Sequence, residues 1–170
     1  MTIKLSSAAF PYNGSIPTAH TCEGANTPPP LKWSGVPDEA KSLALIVDDP
    51  DAPDPKAPKR TYVHWVLYDI PPTTSVLGDS ESPPHGAREG LNDEGDRSYT
   101  GPCPPIGRHR YFFKLFALDT MLGDLGNATK DVVERAMRDH VIAHGELVGT
   151  YEKAGAGATS KPRTSAKVPT

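Results

Sequence analysis

Basic charge, long apolar runs and cysteine are all scarce in this chain. Lys and Arg number 18 against 21 Asp and Glu, for a formal net charge of −3 across 170 residues. That balance carries no strong positive field, which argues against a nucleic-acid binder. No apolar stretch reaches membrane-spanning length. The opening Met1-Thr2-Ile3-Lys4-Leu5 lacks the long apolar region of a secretory signal, so cytoplasmic residence is the expectation. Cysteine occurs twice, as Cys22 and Cys103. The plain reading is two reduced, partly buried thiols. A sharper reading, a redox-sensitive pair, needs Cα atoms within ~7 Å of each other. Walker-type loops and Gly-x-Ser-x-Gly elbows are missing. His140 and His144 stand four apart, but no third ligand or Glu follows in zincin spacing. Neither a metal nor a cofactor is expected, and there is no internal repeat.

What the chain does have is proline, 19 residues of it. That points to short strands joined by loops rather than to a helical bundle. The length suggests one domain, able to bury about two-thirds of its unfolded surface. Ile3 to Phe10 alternates weakly, as a first strand would, and Leu31 to Trp33 is a second short candidate. Leu43 to Val47 is a continuous apolar run, consistent with a strand buried on both faces. Pro50 to Pro58 is proline-dense and is expected to hold no regular structure. Tyr62 to Ile70 is the clearest strand, stopped by Pro71-Pro72. Thr73 to Gly107 is a long connection, and such loops in compact domains usually serve function. Arg110 to Leu118 has strand-like composition. Thr129 to Ala143 reads as a helix, with Thr129 as N-cap, an apolar face of Val133, Ala136, Met137, His140 and Val141, and Gly145 as its stop. Asp131 with Arg135 and Glu134 with Arg138 are i,i+4 pairs on it. Glu146 to Tyr151 reads as a last strand. Residues 1–152 therefore form the expected domain, and 153–170, small, polar and basic, an expected disordered tail.

Two blocks carry chemistry. In the first, Asp48-Asp49-Pro50-Asp51-Ala52-Pro53 follows the apolar run, and His64 lies in the next strand. The second is Gly101-Pro102-Cys103-Pro104-Pro105-Ile106-Gly107-Arg108-His109-Arg110-Tyr111. Pro locks φ and has no N–H, so this loop has few conformers to lose on folding. It hands His-Arg-Tyr to the start of a strand, which is how a fixed polar site is built. Read alone, each residue has a plain alternative. A strand His is more often structural than functional, an Asp in a proline-rich turn is often a turn former, and Tyr111 could be core packing. Alternation places Asp48 on the face opposite Asp49.

At these residues the chain resembles the phosphatidylethanolamine-binding protein family, and most closely its bacterial, Raf kinase inhibitor-like branch. Thr21-Cys22-Glu23-Gly24-Ala25-Asn26, Pro30-Leu31-Lys32-Trp33-Ser34-Gly35-Val36-Pro37 and Gly145-Glu146-Leu147-Val148-Gly149-Thr150-Tyr151 add to the likeness. It runs from about residue 3 to residue 152. The resemblance implies a mostly-β fold, with a central antiparallel sheet packed on a second, Greek-key connections and one or two short helices near the end. It also implies a homodimer and a cis Ala52–Pro53 peptide that aims Asp51 inward. Asp49, Asp51, His64, Gly101, His109 and Tyr111 match the family's ligand pocket. Gly101 would let its N–H approach a bound oxyanion, and Arg110 would face away and pair with an acid. Where eukaryotic members carry an acid and an aromatic before the pocket His, this chain has Thr61, Tyr62 and Val63.

The resulting expectation is a binding protein for a small phosphate- or carboxylate-bearing ligand, regulating a kinase or other partner. Imidazole and phenol would bind the anion, with affinity falling as pH rises through the His titration if charged imidazoles donate. The alternative is a small-molecule hydrolase or isomerase using His, Asp and Tyr as acid–base groups, with Cys103 as its one conceivable nucleophile. A scaffold with a vestigial pocket is a third reading.

Overall fold

A computed structural model describes residues 2–78 and 83–154. The elements run β1 Lys4–Ser6, β2 Gly14–Ser15, a 3₁₀ turn Thr18–His20, β3 Leu31–Ser34, β4 Ser42–Ala52, β5 Arg60–Ile70, β6 Val76–Leu77, β7 Arg88–Glu89, β8 Arg108–Leu118, α1 Lys130–Met137 and β9 Val141–Glu152. They make two sheets, a six-stranded one in the order β2-β9-β8-β4-β5-β7 and a three-stranded one in the order β1-β3-β6. Every pairing is antiparallel except β2 with β9. The protein is mostly β, as expected from its proline-rich, short-strand pattern.

β4 lies at the centre, between β5 and β8. Its run Leu43 to Val47 is almost wholly shielded, because both faces of the large sheet are covered. Leu43, Leu45 and Val47 point one way, into a core shared with Leu31 and Trp33 of the small sheet and Leu77 beside them. Ala44 and Ile46 point the other way, against Val133 and Met137 of α1. A period-2 chain packed on both sides must be apolar at every position, so the continuous run is the signature of this layer. Each fully buried leucine contributes about 1.5–3 kcal/mol. Asp48 continues the α1 side: it is fully buried, and its Oδ2 accepts from Lys114 Nζ at 3.1 Å and Lys130 Nζ at 2.8 Å. It faces away from Asp49, as alternation requires.

Two expectations about elements are corrected. The helix spans only Lys130–Met137, although Thr129 is its N-cap and accepts from the Val132 N–H. Asp139 turns the chain with φ 69°, and Val141 starts a strand that pairs with β8 from Leu118 to Arg108. The apolar spacing around His140 and Val141 fitted a helix, but an open sheet edge and β-branched residues favour pairing. Gly145 is therefore no helix stop. A Cβ there would sit 2.2 Å from the Ile3 carbonyl oxygen, so it marks a close backbone crossing inside β9. The expected ion pairs on the helix are not formed either; Arg135 Nε donates instead to the Asp131 carbonyl at 3.3 Å. Second, β4 runs on through Pro50 to Ala52, with its register against β5 broken between Asp49 and Ala52. A proline is tolerated where the ladder is already irregular. The Ala52–Pro53 peptide is cis, as the resemblance implied. Of the expected tail, residues 155–170 lie outside the described residues. No helix among the described residues is long and apolar enough to cross a membrane.

Candidate functional site

The ends of the three central strands and two loops enclose a cleft of about 440 Å³. β4 brings Asp49, β5 brings Tyr62 and His64, and β8 brings His109 and Tyr111. His109 and Tyr111 are two apart and so share a face of β8. The loop Thr100–Pro105 and Cys22 form a wall, and Arg60 and Glu94 stand at the rim. Five of the six expected residues meet here: Asp49, His64, Gly101, His109 and Tyr111.

Asp51 does not line the cleft. Its carboxylate grips Arg110 instead, accepting from the backbone N–H at 2.9 Å, from Nε at 3.0 Å and from Nη2 at 2.8 Å. The Arg110 guanidinium holds the Asp51 carboxyl below its ordinary range. Arg110 was expected to pair with an acid, and that acid is the one assigned to the pocket. Gly101 lines the cleft, but its N–H donates to Asn26 Oδ1 at 2.8 Å and is not free for an anion. Its lack of a side chain serves the loop crossing: a Cβ would lie 2.3 Å from the His20 carbonyl oxygen.

Proton positions follow from the partners. His64 Nδ1 lies 2.7 Å from the Thr100 carbonyl oxygen. A carbonyl only accepts, so Nδ1 carries the hydrogen and Nε2 of the neutral ring is an acceptor. Burial pushes this imidazole down to about 4, with the Thr100 contact offsetting only part of the effect. His64 is therefore neutral at physiological pH, and among the described residues nothing bonds its Nε2. His109 is used up internally. Its Nε2 faces two carbonyls, Ile106 at 2.9 Å and Pro53 at 3.0 Å, and its Nδ1 meets Asp49 Oδ2 at 2.5 Å. It holds the loop and the Asp49 carboxyl in place. Asp49 Oδ1 accepts the Asp51 N–H at 2.7 Å. Desolvation by burial raises the Asp49 carboxyl above its ordinary value, against the lowering contacts with His109 and Asp51.

The Tyr111 hydroxyl completes the floor. The residue is 1% exposed, and its hydroxyl has no hydrogen-bond partner. Burial, and then Asp49, push its ionisation upward, so it remains a neutral O–H. Its ring stands edge-on to His64, with centroids 5.2 Å apart. At the rim, Tyr62 donates to Glu94, and Arg60 stacks on the Tyr62 ring at 5.0 Å while pairing with Asp93 at 2.9 Å. Sequence reading missed this rim. Arg60, Tyr62 and His64 share a face by alternation, which could have found the first two. Glu94 sits in an irregular loop and gave no signal.

The expectation of two reduced thiols is corrected. Cys22 and Cys103 form a disulfide with Cα atoms 5.5 Å apart, across a sequence separation of 81. Their loops are drawn together by the backbone bond from Cys22 N–H to the Pro102 carbonyl at 3.1 Å. The one thiol that an enzymatic reading would use as nucleophile is thereby bonded.

The protein is mostly β, two sheets with a small cleft of mixed polar and apolar lining at the ends of the central strands. The family model for phosphatidylethanolamine-binding protein matches residues 6–152, and the chain belongs to that family. It is 47% identical over 155 residues to a UPF0098 protein of Methanothermobacter thermautotrophicus, covering 89% of this chain and 99% of that one. A UPF0098 protein of Chlamydia pneumoniae is 45% identical over 151 residues, with 89% and 99% covered. Among solved structures, a phosphatidylethanolamine-binding protein homologue from Chlamydia trachomatis superposes with TM-score 0.83 at 43% identity, covering 89% of this chain and 98% of that one. E. coli YbcL, described as a new member of the mammalian PEBP family, gives 0.78 at 34% identity, with 89% and 99% covered. The relatives include an archaeon, so the likeness is not confined to bacteria.

Proposed function

We propose that the cleft binds a small molecule through a phosphate monoester group that enters with one oxygen protonated. The observation that carries this is the pairing on the floor of an acceptor, His64 Nε2, with an unsatisfied donor, the Tyr111 hydroxyl. A protonated phosphate oxygen donates to the first, and an unprotonated one accepts from the second. Asp49 is already engaged by His109, and Arg60 at the rim by Asp93, so neither stands as a free charge in the cleft. A phosphomonoester keeps that proton below about pH 6. A carboxylate loses its proton near ~4, and a phosphodiester has none to offer, so both fit less well. Kinase or other partner regulation, a homodimeric state and a cytoplasmic location remain parts of the proposal; the first two rest on family resemblance.

Titration calorimetry with ethyl phosphate tests the reading. Affinity should fall as pH rises through about 6, following the ligand, and should drop by up to about tenfold in His64→Ala, a loss of one hydrogen bond to a neutral acceptor. Equal affinity for diethyl phosphate, or a profile that follows only a transition near pH 4, would refute it.

A further inference from the structure

The floor and the wall of the cleft are built differently. Asp49, His64, His109 and Tyr111 stand on the central strands of the large sheet. The wall is made of two irregular segments, residues 21–27 and 101–105, which come from distant parts of the chain. Two hydrogen bonds join these segments, Gly101 N–H to Asn26 Oδ1 at 2.8 Å and Cys22 N–H to the Pro102 carbonyl at 3.1 Å, and a third joins the residues just before them, Tyr99 Oη to the His20 carbonyl at 2.6 Å. Each is partly open to water and contributes modestly. The Cys22–Cys103 bridge is the single covalent tie between them, and both cysteines line the cleft. Both residues are also exposed, on the open side of the wall.

We infer that the Cys22–Cys103 bridge is a reversible clamp on the wall of the cleft, through which a dithiol reductant regulates how tightly the ligand is held. This rests on reading the cleft as a binding site. The reductant's thiolate attacks one sulfur, the S–S bond breaks and a mixed disulfide forms. Its second thiol then displaces the chain. Two electrons and two protons pass to Cys22 and Cys103, and the reductant leaves as a disulfide. The hinge is at Gly101, because Thr100 is fastened to β5 twice: its N–H donates to the His64 carbonyl at 3.0 Å and its own carbonyl accepts from His64 Nδ1. Reduction therefore frees the wall beyond Thr100 and leaves the tautomer of His64 unchanged. The ligand meets the same floor with a cover that is no longer preorganised, and ordering that cover on binding costs affinity.

The experiment compares the full chain, oxidised and reduced, with the double variant Cys22→Ser/Cys103→Ser. Ethyl phosphate affinity is measured by calorimetry, and amide hydrogen exchange is followed residue by residue. Reduction should weaken binding roughly five- to tenfold and speed exchange at the Cys22 and Gly101 amides, while the amides of β8 stay protected. The serine variant should behave as the reduced chain with or without reductant. Unchanged affinity and unchanged exchange at Cys22 and Gly101 on reduction would overturn the clamp. If the oxidised chain does not bind ethyl phosphate, the reading of the ligand fails. The clamp is then decided by hydrogen exchange alone, with faster exchange at those two amides supporting it and no change overturning it.

Discussion

Acid should destabilise this protein through His64, and the size of the effect can be worked from its surroundings. The ring is buried, its Nδ1 is committed to the Thr100 carbonyl, and burial holds it at about 4 against an ordinary 6.5. The folded state therefore favours the neutral ring, while the unfolded chain takes up a proton as pH falls through 6.5. Stability is full above that value and declines down to about pH 4, where the folded form also protonates. One pKa unit corresponds to 1.36 kcal/mol, so the loss is about 2 kcal/mol by pH 5 and about 3 kcal/mol by pH 4. Asp49 acts in the opposite sense: its raised carboxyl favours the folded state as acid is added. Asp51, lowered by Arg110, contributes stability that disappears only at still lower pH. The His64 part is isolated by difference. Urea unfolding of the wild-type chain and of His64→Gln, at steps between pH 7.5 and pH 4, should give curves that converge by those amounts. Parallel curves would refute the assignment of a buried neutral imidazole.

Three further outcomes follow. Tyr111→Phe removes a buried hydroxyl that has no partner, so thermal unfolding should show equal or higher stability, by up to about 1 kcal/mol, while ethyl phosphate binding weakens; a less stable variant would mean that the hydroxyl is satisfied in the fold. Gly101→Ala places a methyl 2.3 Å from the His20 carbonyl oxygen, so the midpoint of thermal unfolding should fall by several degrees, about 1–3 kcal/mol for an overpacked site; an unchanged midpoint would show that the two loops are not in contact. Asp48→Ala leaves Lys114 and Lys130 without their shared carboxylate at the edge of the α1 layer. It should cost about 3 kcal/mol in urea unfolding and leave ligand binding unchanged, since Asp48 faces away from the cleft; a loss of binding with stability intact would overturn that separation.

The sequence carried the sheet better than the ends of its strands. Leu43 to Val47 announced a doubly covered strand because two-sided burial leaves no position free to be polar. Tyr62 to Ile70 was equally plain, with Pro71 as its stop. The apolar period overstates the helix because Met137, His140 and Val141 satisfy a 3.6-residue spacing by chance, and period alone cannot register that Val141 pairs with the edge of β8. Pro50 suggests a break because proline normally ends a ladder, whereas here it falls where β4 and β5 are already out of register.

At the site, residue types were legible and their roles were not. His64 and His109 look alike in sequence, yet one keeps a free acceptor and the other spends both nitrogens on Asp49, Ile106 and Pro53. That distinction is made by backbone carbonyls, which every residue has and no motif reveals. The same holds for Asp49 and Asp51, two residues apart in a strand whose regularity fails between them. One carboxylate turns to the buried imidazole and the other to a half-exposed guanidinium. The consequence is chemical. With charged imidazoles the cleft would attract a fully ionised anion, and affinity would follow the protein's own titration. Under the proposed reading, a neutral His64 acceptor beside an O–H donor calls for a group that brings both a proton and a lone pair, and affinity should follow the ligand's titration instead.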